Sequence, residues 1–371
     1  MSLTASPLVH TLRGIMRDIR DDAPHRFFPM DRAASSDIRT GYLDGVPVRR
    51  LVVTFRAPGC AWVDRGGGCT MCGHHAGTTR GEVPSPGEYL EQFRSETARH
   101  DFSEVKVLSL YNSGSMLNPR EVPRGTLDLL FREICAFDSV RKVVLETRAE
   151  FVCADEVSRL ADILGRKRRL SVALGLETSD DRRRELCLNK GCSLEGISRA
   201  VGEAKKAGAG VQLYVLLGLP FLTEAESVDD AVKSLECAQN LGADEIHIEP
   251  LTIQRHTLVE RLHRAGLLRL PSLYSLYETL ERVLPAIRPY VSPFMHMPLP
   301  DIIPSGCPVC TDALIEGLLG RYNISRDHAS LVRPGCPCEA DWRARMEERD
   351  PRPLEDRIVD ALALLSRGDG R

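Results

Sequence analysis

Several features are missing from this 371-residue chain, and each absence excludes something. No uninterrupted apolar run approaches the roughly 20 residues that span a bilayer, so no membrane-embedded segment is expected. The opening residues, MSLTASPLVHTLRG, lack a long apolar stretch followed by a cleavage site, which predicts a cytoplasmic protein rather than an exported one. Charge of one sign is also missing: 49 Lys and Arg face 52 Asp and Glu, and a net charge of -3 provides no global field for drawing in nucleic acid. No appended RNA-binding module is recognisable. Arg49, Arg50, Arg56, Arg65 and Arg80 flank one short stretch, as a local basic face or as a solvated rim.

With 27% charged and 43% hydrophobic residues the chain is globular, and its length calls for one decorated α/β barrel or two domains. Helical stretches near 86–99, 121–136, 154–166, 195–208 and 226–240 separate short β-rich runs at 49–55, 105–111, 142–147, 171–178, 211–220 and 244–250. Strands buried on both faces and divided by helices require a parallel sheet covered by helices. The expected fold is therefore a partial (β/α)6 TIM-like barrel over residues 45–290. An N-terminal lead-in with one early helix precedes it over 1–44, and a cysteine-containing C-terminal extension follows over 291–371, after a helix at 272–287. In such a fold ligands bind at the C-terminal ends of the strands.

Twelve cysteines in a chain without an export signal favour metal or redox chemistry over disulfides. Directly after the first strand comes RAPGCAWVDRGGGCTMCGHHAG, which spaces Cys60, Cys69 and Cys72 as C-x8-C-x2-C. No histidine or fourth cysteine follows at a distance that completes an ordinary zinc knuckle. Three thiolates can hold an iron-sulfur cubane while leaving one iron open to the amino and carboxylate groups of a methionine-like ligand. Gly66, Gly67, Gly68 and Gly73 let the backbone wrap closely around such a core. A noncatalytic metal-binding interaction protein is the contrasting reading, with no accessible iron and no cofactor pocket.

The triad in this setting resembles the radical S-adenosylmethionine enzymes, in particular the branch related to the tRNA-modifying Elongator catalytic subunit. GGGCTMCG, residues 66–73, is similar to the radical enzymes of archaeosine biosynthesis and their relatives. The resemblance covers roughly residues 45–290. It implies a [4Fe-4S] cluster on Cys60, Cys69 and Cys72, S-adenosylmethionine as cofactor, and a reductant such as flavodoxin or ferredoxin. It also gives Ser113, Gly114 and Ser115 the cofactor's methionine amino group, and Glu146 and Arg148 a role in holding cofactor or substrate. Polar groups at the fourth strand end, here Glu177 and Thr178, belong near the ribose.

Other candidates come from the residues themselves. Lys190 supplies a cation for the cofactor carboxylate, and Gly218 with Pro220 permits a sharp path past an adenine. His247 and Glu249, two apart on a strand, face one side, toward substrate or into the core. Tyr111 and Gln254 are further cavity candidates. Cys307, Cys310, Cys336 and Cys338 suit zinc, an auxiliary iron-sulfur cluster or an open thiol site. Cys135, Cys153, Cys187, Cys192 and Cys237 read as small buried hydrophobes. The acceptor is a tRNA nucleoside by resemblance. The competing small-molecule reading is transfer of a 3-amino-3-carboxypropyl group to arsenite or another acceptor.

Overall fold

The computed structural model describes residues 6–24, 26–294 and 298–368, so the outermost parts of the predicted lead-in and extension (1–5 and 369–371) lie outside it. In chain order the elements are α1 (Pro7–Asp21), β1 (Ser35–Leu43), β2 (Val46–Thr54), α2 (Ala61–Gly66), α3 (Pro86–Thr97), β3 (Val105–Tyr111), α4 (Arg124–Ile134), β4 (Lys142–Glu146), α5 (Ala154–Leu164), β5 (Arg169–Glu177), α6 (Asp181–Leu186) and α7 (Leu194–Lys206). They continue with β6 (Gly210–Leu217), α8 (Glu224–Asn240), β7 (Glu245–Pro250), α9 (Leu258–Arg264), α10 (Leu273–Val283), β8 (Tyr290–Val291), α11 (Thr311–Ile315), α12 (Asn323–Ser325), α13 (Cys338–Glu347) and α14 (Leu354–Gly368). Capping boxes start two of the long helices: Ser85 with Glu88 at α3, and Thr223 with Glu226 at α8.

The strands form one sheet in the order β1 to β8, with β2 to β7 parallel. These six strands and their helices are the expected (β/α)6 half-barrel. Two additions were not foreseen: β8, which pairs parallel with β7 through His247↔Tyr290 and Ile248↔Val291, and β1. β1 falls within the predicted 1–44 lead-in, yet it pairs antiparallel with β2 from Ser35↔Thr54 to Leu43↔Val46, so the sheet starts at Ser35 rather than at residue 45. Asp44 and Gly45, both at positive φ (52° and 79°), make its two-residue hairpin turn.

Alternation along the parallel strands sorts the chemistry. Leu51 and Val53, Leu108 and Leu110, Val143 and Leu145, Val172 and Leu174, Leu213 and Val215, and Ile246 and Ile248 point outward into the main core beneath the helices. The intervening residues point inward, and there most are polar. The sheet therefore has an apolar outer face and a largely polar inner one, although both are covered. Its curl is marked by contacts across the interior: Lys142 at the start of β4 pairs with Glu245 at the start of β7, and Tyr42 of β1 stacks on Tyr290 of β8 at 3.5 Å between centroids. Val107, Val144 and Ala173 form a small apolar cluster on this inner face. A second core joins α1, α9 and α14 through Leu12, Met16, Val259, Leu262, Ile358 and Leu362. Among the described residues no helix is long and apolar enough to cross a membrane.

Candidate active site

One cavity of about 540 Å³ opens among the C-terminal strand ends, a size suited to a small ligand. Cys60, Cys69 and Cys72 all line it. Cys60 is the N-cap of α2, and the chain then passes through Gly67 and Gly68, both at φ 80°. A side chain at Gly67 would lie 2.9 Å from Met16 Cβ, so the left-handed turn and the close approach of α1 both require glycine.

Three elements clamp this loop from outside it. Arg20 of α1 is buried and donates to Cys69 O at 2.9 Å and His256 O at 2.9 Å. Asn189, buried after α6, donates to Gly66 O at 2.7 Å and Gly68 O at 2.8 Å and accepts from Arg13. Gln254, after β7, accepts from Gly73 N at 2.7 Å. Trp62 adds its indole N–H to Asn189 O at 2.6 Å. A fourth tie is Glu121, whose buried carboxylate collects Ala61 N at 3.0 Å, Ser115 N at 2.6 Å, Asn118 Nδ2 at 2.7 Å and Asn112 Nδ2 at 3.3 Å. It thereby couples the residue beside Cys60 to the Ser113–Ser115 turn.

The donor set fits an iron-sulfur group. All three cysteines are free thiols. Burial pushes Cys60 up to about 12, against the pull of Arg148, and burial likewise raises Cys72, against the pull of Arg20. Thiolates at such positions need a bound cation to persist, and soft sulfur ligands suit iron-sulfur chemistry.

Other predicted residues meet the triad in the same cavity: Tyr111, Ser113, Gly114, Glu146, Arg148, Glu177, Lys190, His247, Glu249 and Gln254 all line it. Lys190 Nζ lies 2.7 Å from Glu177, and Gly175 leaves the space, since a Cβ there would fall 2.5 Å from Lys190 Nζ. Burial works against the ammonium, but Glu177 together with the nearby Cys69 and Cys192 outweighs it and holds the Lys190 pKa above its usual value. Arg148 does not pair with Glu146. β4 ends at Glu146, and the Arg148 guanidinium turns to Lys190 O at 2.9 Å and Glu150 at 2.8 Å.

The Glu146 backbone carbonyl accepts from Met116 N at 3.0 Å, but its carboxylate has no hydrogen bond or ion pair among the described residues; burial, then Glu249, pushes it up to about 7. Burial also raises Glu249 and lowers His247, whose Nε2 is buried without a hydrogen-bond partner and stands 3.6 Å from Glu245. Tyr111 and Tyr214 share a hydroxyl contact of 2.8 Å, and Arg50 donates to Tyr111.

Four predicted positions, Ser115, Thr178, Gly218 and Pro220, do not line the cavity. Ser115 is buried behind it, where its Oγ accepts from Arg148 N at 3.1 Å. Thr178 follows Glu177, whose φ of 60° turns the chain, and its hydroxyl donates to Asp230 at 2.9 Å instead. Gly218 packs beneath Pro271, 2.7 Å from where its Cβ would be. Among the cysteines read as buried hydrophobes, Cys187 is buried, but Cys153 is exposed and Cys192 lines the cavity beside Lys190.

The sequence reading missed Asp37 and Arg39 of β1, Tyr214, and the clamping residues Arg20, Glu121 and Asn189, and it read Arg50 only as part of a basic face or a solvated rim, whereas it lines the cavity. The Asp44-Gly45 turn was the available signal for β1. No local pattern marks Arg20 or Glu121.

Away from the cavity, the sulfurs of Cys307, Cys310, Cys336 and Cys338 lie within 4.8 Å of one another, a group able to hold a metal ion. Backbone N–H groups of Val309 and Cys310 help hold Cys307 down to about 6, while burial first, then its neighbours, pushes Cys338 up to about 12.

An open half-barrel whose first parallel strand delivers three thiols into a polar cavity at the strand ends is the architecture of a radical S-adenosylmethionine enzyme, working with iron-sulfur and S-adenosylmethionine chemistry. The chain is 30% identical over 343 residues to archaeosine synthase subunit beta of Methanosarcina acetivorans, covering 92% of this chain and 97% of that protein. It is 32% identical over 238 residues to the subunit of that name from Thermococcus kodakarensis, covering 64% of this chain and 72% of that one. It belongs to the archaeosine synthase subunit beta family of radical S-adenosylmethionine enzymes. No family model matches the chain. Solved structures are more distant: methylornithine synthase aligns over 98% of this chain and 91% of that one at 15% identity and a TM-score of 0.47. Elp3 of Methanocaldococcus infernus aligns over 56% and 52% at 16% identity and 0.42. Likeness at that level carries no functional argument.

Proposed function

We propose that Cys60, Cys69 and Cys72 hold a [4Fe-4S] cluster with S-adenosylmethionine beside it, and that the acceptor is a nucleoside of tRNA. The observation that carries this reading is the single cavity shared by the three thiols and the polar strand ends. When bound, the cluster and S-adenosylmethionine supply one-electron cleavage of a carbon-sulfur bond and the carbon radical that follows.

The chain's own residues do the rest. Ser113 and Gly114 offer a turn for the methionine end of the cofactor, Lys190 a cation for its carboxylate, and Glu177 an acceptor for its ribose hydroxyls. Arg148 and Arg20 compensate the negative charge of the thiolates. Glu146, Glu249, His247, Tyr111 and Tyr214 remain to orient the acceptor, and the walls exclude water from it.

The cavity, about 540 Å³ and shared with the cluster and cofactor, is too small for a folded RNA, so the target nucleotide enters extruded from its stack. The relatives' name, archaeosine synthase subunit beta, supports this substrate class. A flavodoxin or ferredoxin supplies the electron. Cys307, Cys310, Cys336 and Cys338 make a second metal site.

Anaerobic reconstitution with iron and sulfide, followed by dithionite and S-adenosylmethionine, tests the reading by mass spectrometry of the products. 5'-Deoxyadenosine is the expected product; methylthioadenosine instead indicates aminocarboxypropyl chemistry. Cys69→Ala should lose both the cluster and turnover. A fully loaded wild-type cluster that leaves S-adenosylmethionine intact would sink the proposal.

A further inference from the structure

The four cysteines outside the cavity come in two pairs: Cys307 and Cys310 from the turn entering α11, Cys336 and Cys338 from the turn entering α13. Their sulfurs stand 3.5 Å apart for Cys307–Cys336, 3.4 Å for Cys310–Cys338 and 3.7 Å for Cys307–Cys310. One ion bound tetrahedrally by four thiolates at about 2.3 Å sets its sulfurs about 3.8 Å apart, within a few tenths of an ångström of this spacing. A cubane interposes irons and sulfides between its ligands and needs a wider opening. The two turns would have to separate to admit one.

We propose that Cys307, Cys310, Cys336 and Cys338 form a closed, four-coordinate zinc site, and that this ion braces one wall of the reaction cavity. All four positions of the ion are taken by protein sulfur, so its role is structural. The brace can be followed through the chain. Cys310 is the N-cap of α11, which runs on through a π-helix at Glu316–Tyr322 into Asn323. Leu319 and Asn323 line the cavity.

Asn323 then fixes β8 by both its groups: its Oδ1 accepts from Val291 N at 2.9 Å and its Nδ2 donates to Val291 O at 2.8 Å. Tyr322 donates to Pro289 O at 2.8 Å. The chain leaving β8, Ser292 to Phe294, is cavity wall as well. On the other side the site is seated on α10, where Tyr274 OH lies 3.6 Å from Cys310 Sγ and 3.8 Å from Cys338 Sγ, and Trp342 of α13 donates to Ser275 at 2.9 Å. Without the ion, the two cysteine turns lose the link that sets the start of α11. The brace acts on the wall whatever chemistry the cavity carries.

The test uses the full chain, reconstituted anaerobically and analysed for zinc and iron. Cys60→Ser/Cys69→Ser/Cys72→Ser should lose its iron and keep one zinc per chain. Cys336→Ser/Cys338→Ser should lose zinc, keep the triad's iron, and show amide exchange at least tenfold faster over 289–294 and 311–323 while 60–73 is unchanged. If that variant does not fold, cobalt(II) exchanged into the wild type serves instead, with the intense thiolate charge-transfer and visible bands of a tetrahedral sulfur site as the expected spectrum. Iron held by the triad-free variant, whether as a cluster or as a single ion, or a wild type without zinc, overturns the metal assignment. Zinc loss with unchanged exchange at 289–294 and 311–323 overturns the brace. Neither result depends on S-adenosylmethionine cleavage, so this proposal and the radical assignment fail separately.

Discussion

Glu121 offers the sharpest test of how the cysteine loop is held. Its Oε1 takes Ala61 N and Asn118 Nδ2, and its Oε2 takes Ser115 N and Asn112 Nδ2, all in a site that is 2% exposed. Burial pushes its pKa up, yet every neighbour is a donor and none can accept its proton, so the ionised form is the one the site fits. Glu121→Gln keeps the shape and replaces one oxygen by an NH₂ that faces two donors. Two hydrogen bonds are lost and two buried donors are left unsatisfied, at about 1–3 kcal/mol each, for an expected loss of about 2–6 kcal/mol. The damage is local, because Ala61 follows Cys60. The assay is anaerobic denaturant unfolding together with iron per chain after reconstitution, expected to fall well below the wild-type value. A variant within about 0.5 kcal/mol of wild type and with full iron would refute the claim that Glu121 sets the position of Cys60.

Gly114→Ala should act on the same contact from the other side, since its Cβ would fall 2.1 Å from Glu121 Oε2 and 3.1 Å from Cys60 Cα; loss of iron with helix content retained by circular dichroism is the expected result. Glu146 carries a pH signature. Raised to about 7 by burial and Glu249, it keeps a proton in the folded chain that the unfolded chain, with a pKa near 4.3, has released. The wild type therefore loses stability as pH rises from about 4.5 to 7 and levels off above that. Glu146→Gln should remove this slope, gaining at most about 4 kcal/mol over wild type at pH 7.5 and nothing at pH 4, read from unfolding at each pH. Parallel pH profiles for the two proteins would show that folding does not raise the Glu146 pKa.

The alternation of strands and helices was legible because each outward face is an apolar run at strand spacing and each helix has an amphipathic stripe. The cysteine loop was legible because its thiols and glycines are neighbours in sequence. β1 was harder to read, since its residues are mostly partly exposed and polar, and only the Asp44-Gly45 turn announced the hairpin. Thr178 and Ser115 sat in the expected segments, but the direction of a side chain past a strand end depends on the turn that follows. The positive φ at Glu177 sends Thr178 to Asp230 and leaves Glu177 facing Lys190.

By itself, then, the sequence determined the half-barrel, the thiol triad after the first parallel strand and the existence of a second cysteine group. These depend on residues close together along the chain, where periodicity and spacing carry the physics. Tertiary structure alone decided what holds the triad, because Arg20, Glu121, Asn189 and Gln254 come from four separate segments and meet only when the sheet curls. It also decided the spacing of the four C-terminal thiols, since 25 residues lie between Cys310 and Cys336 and only the packing of α11 and α13 on α10 brings their sulfurs together.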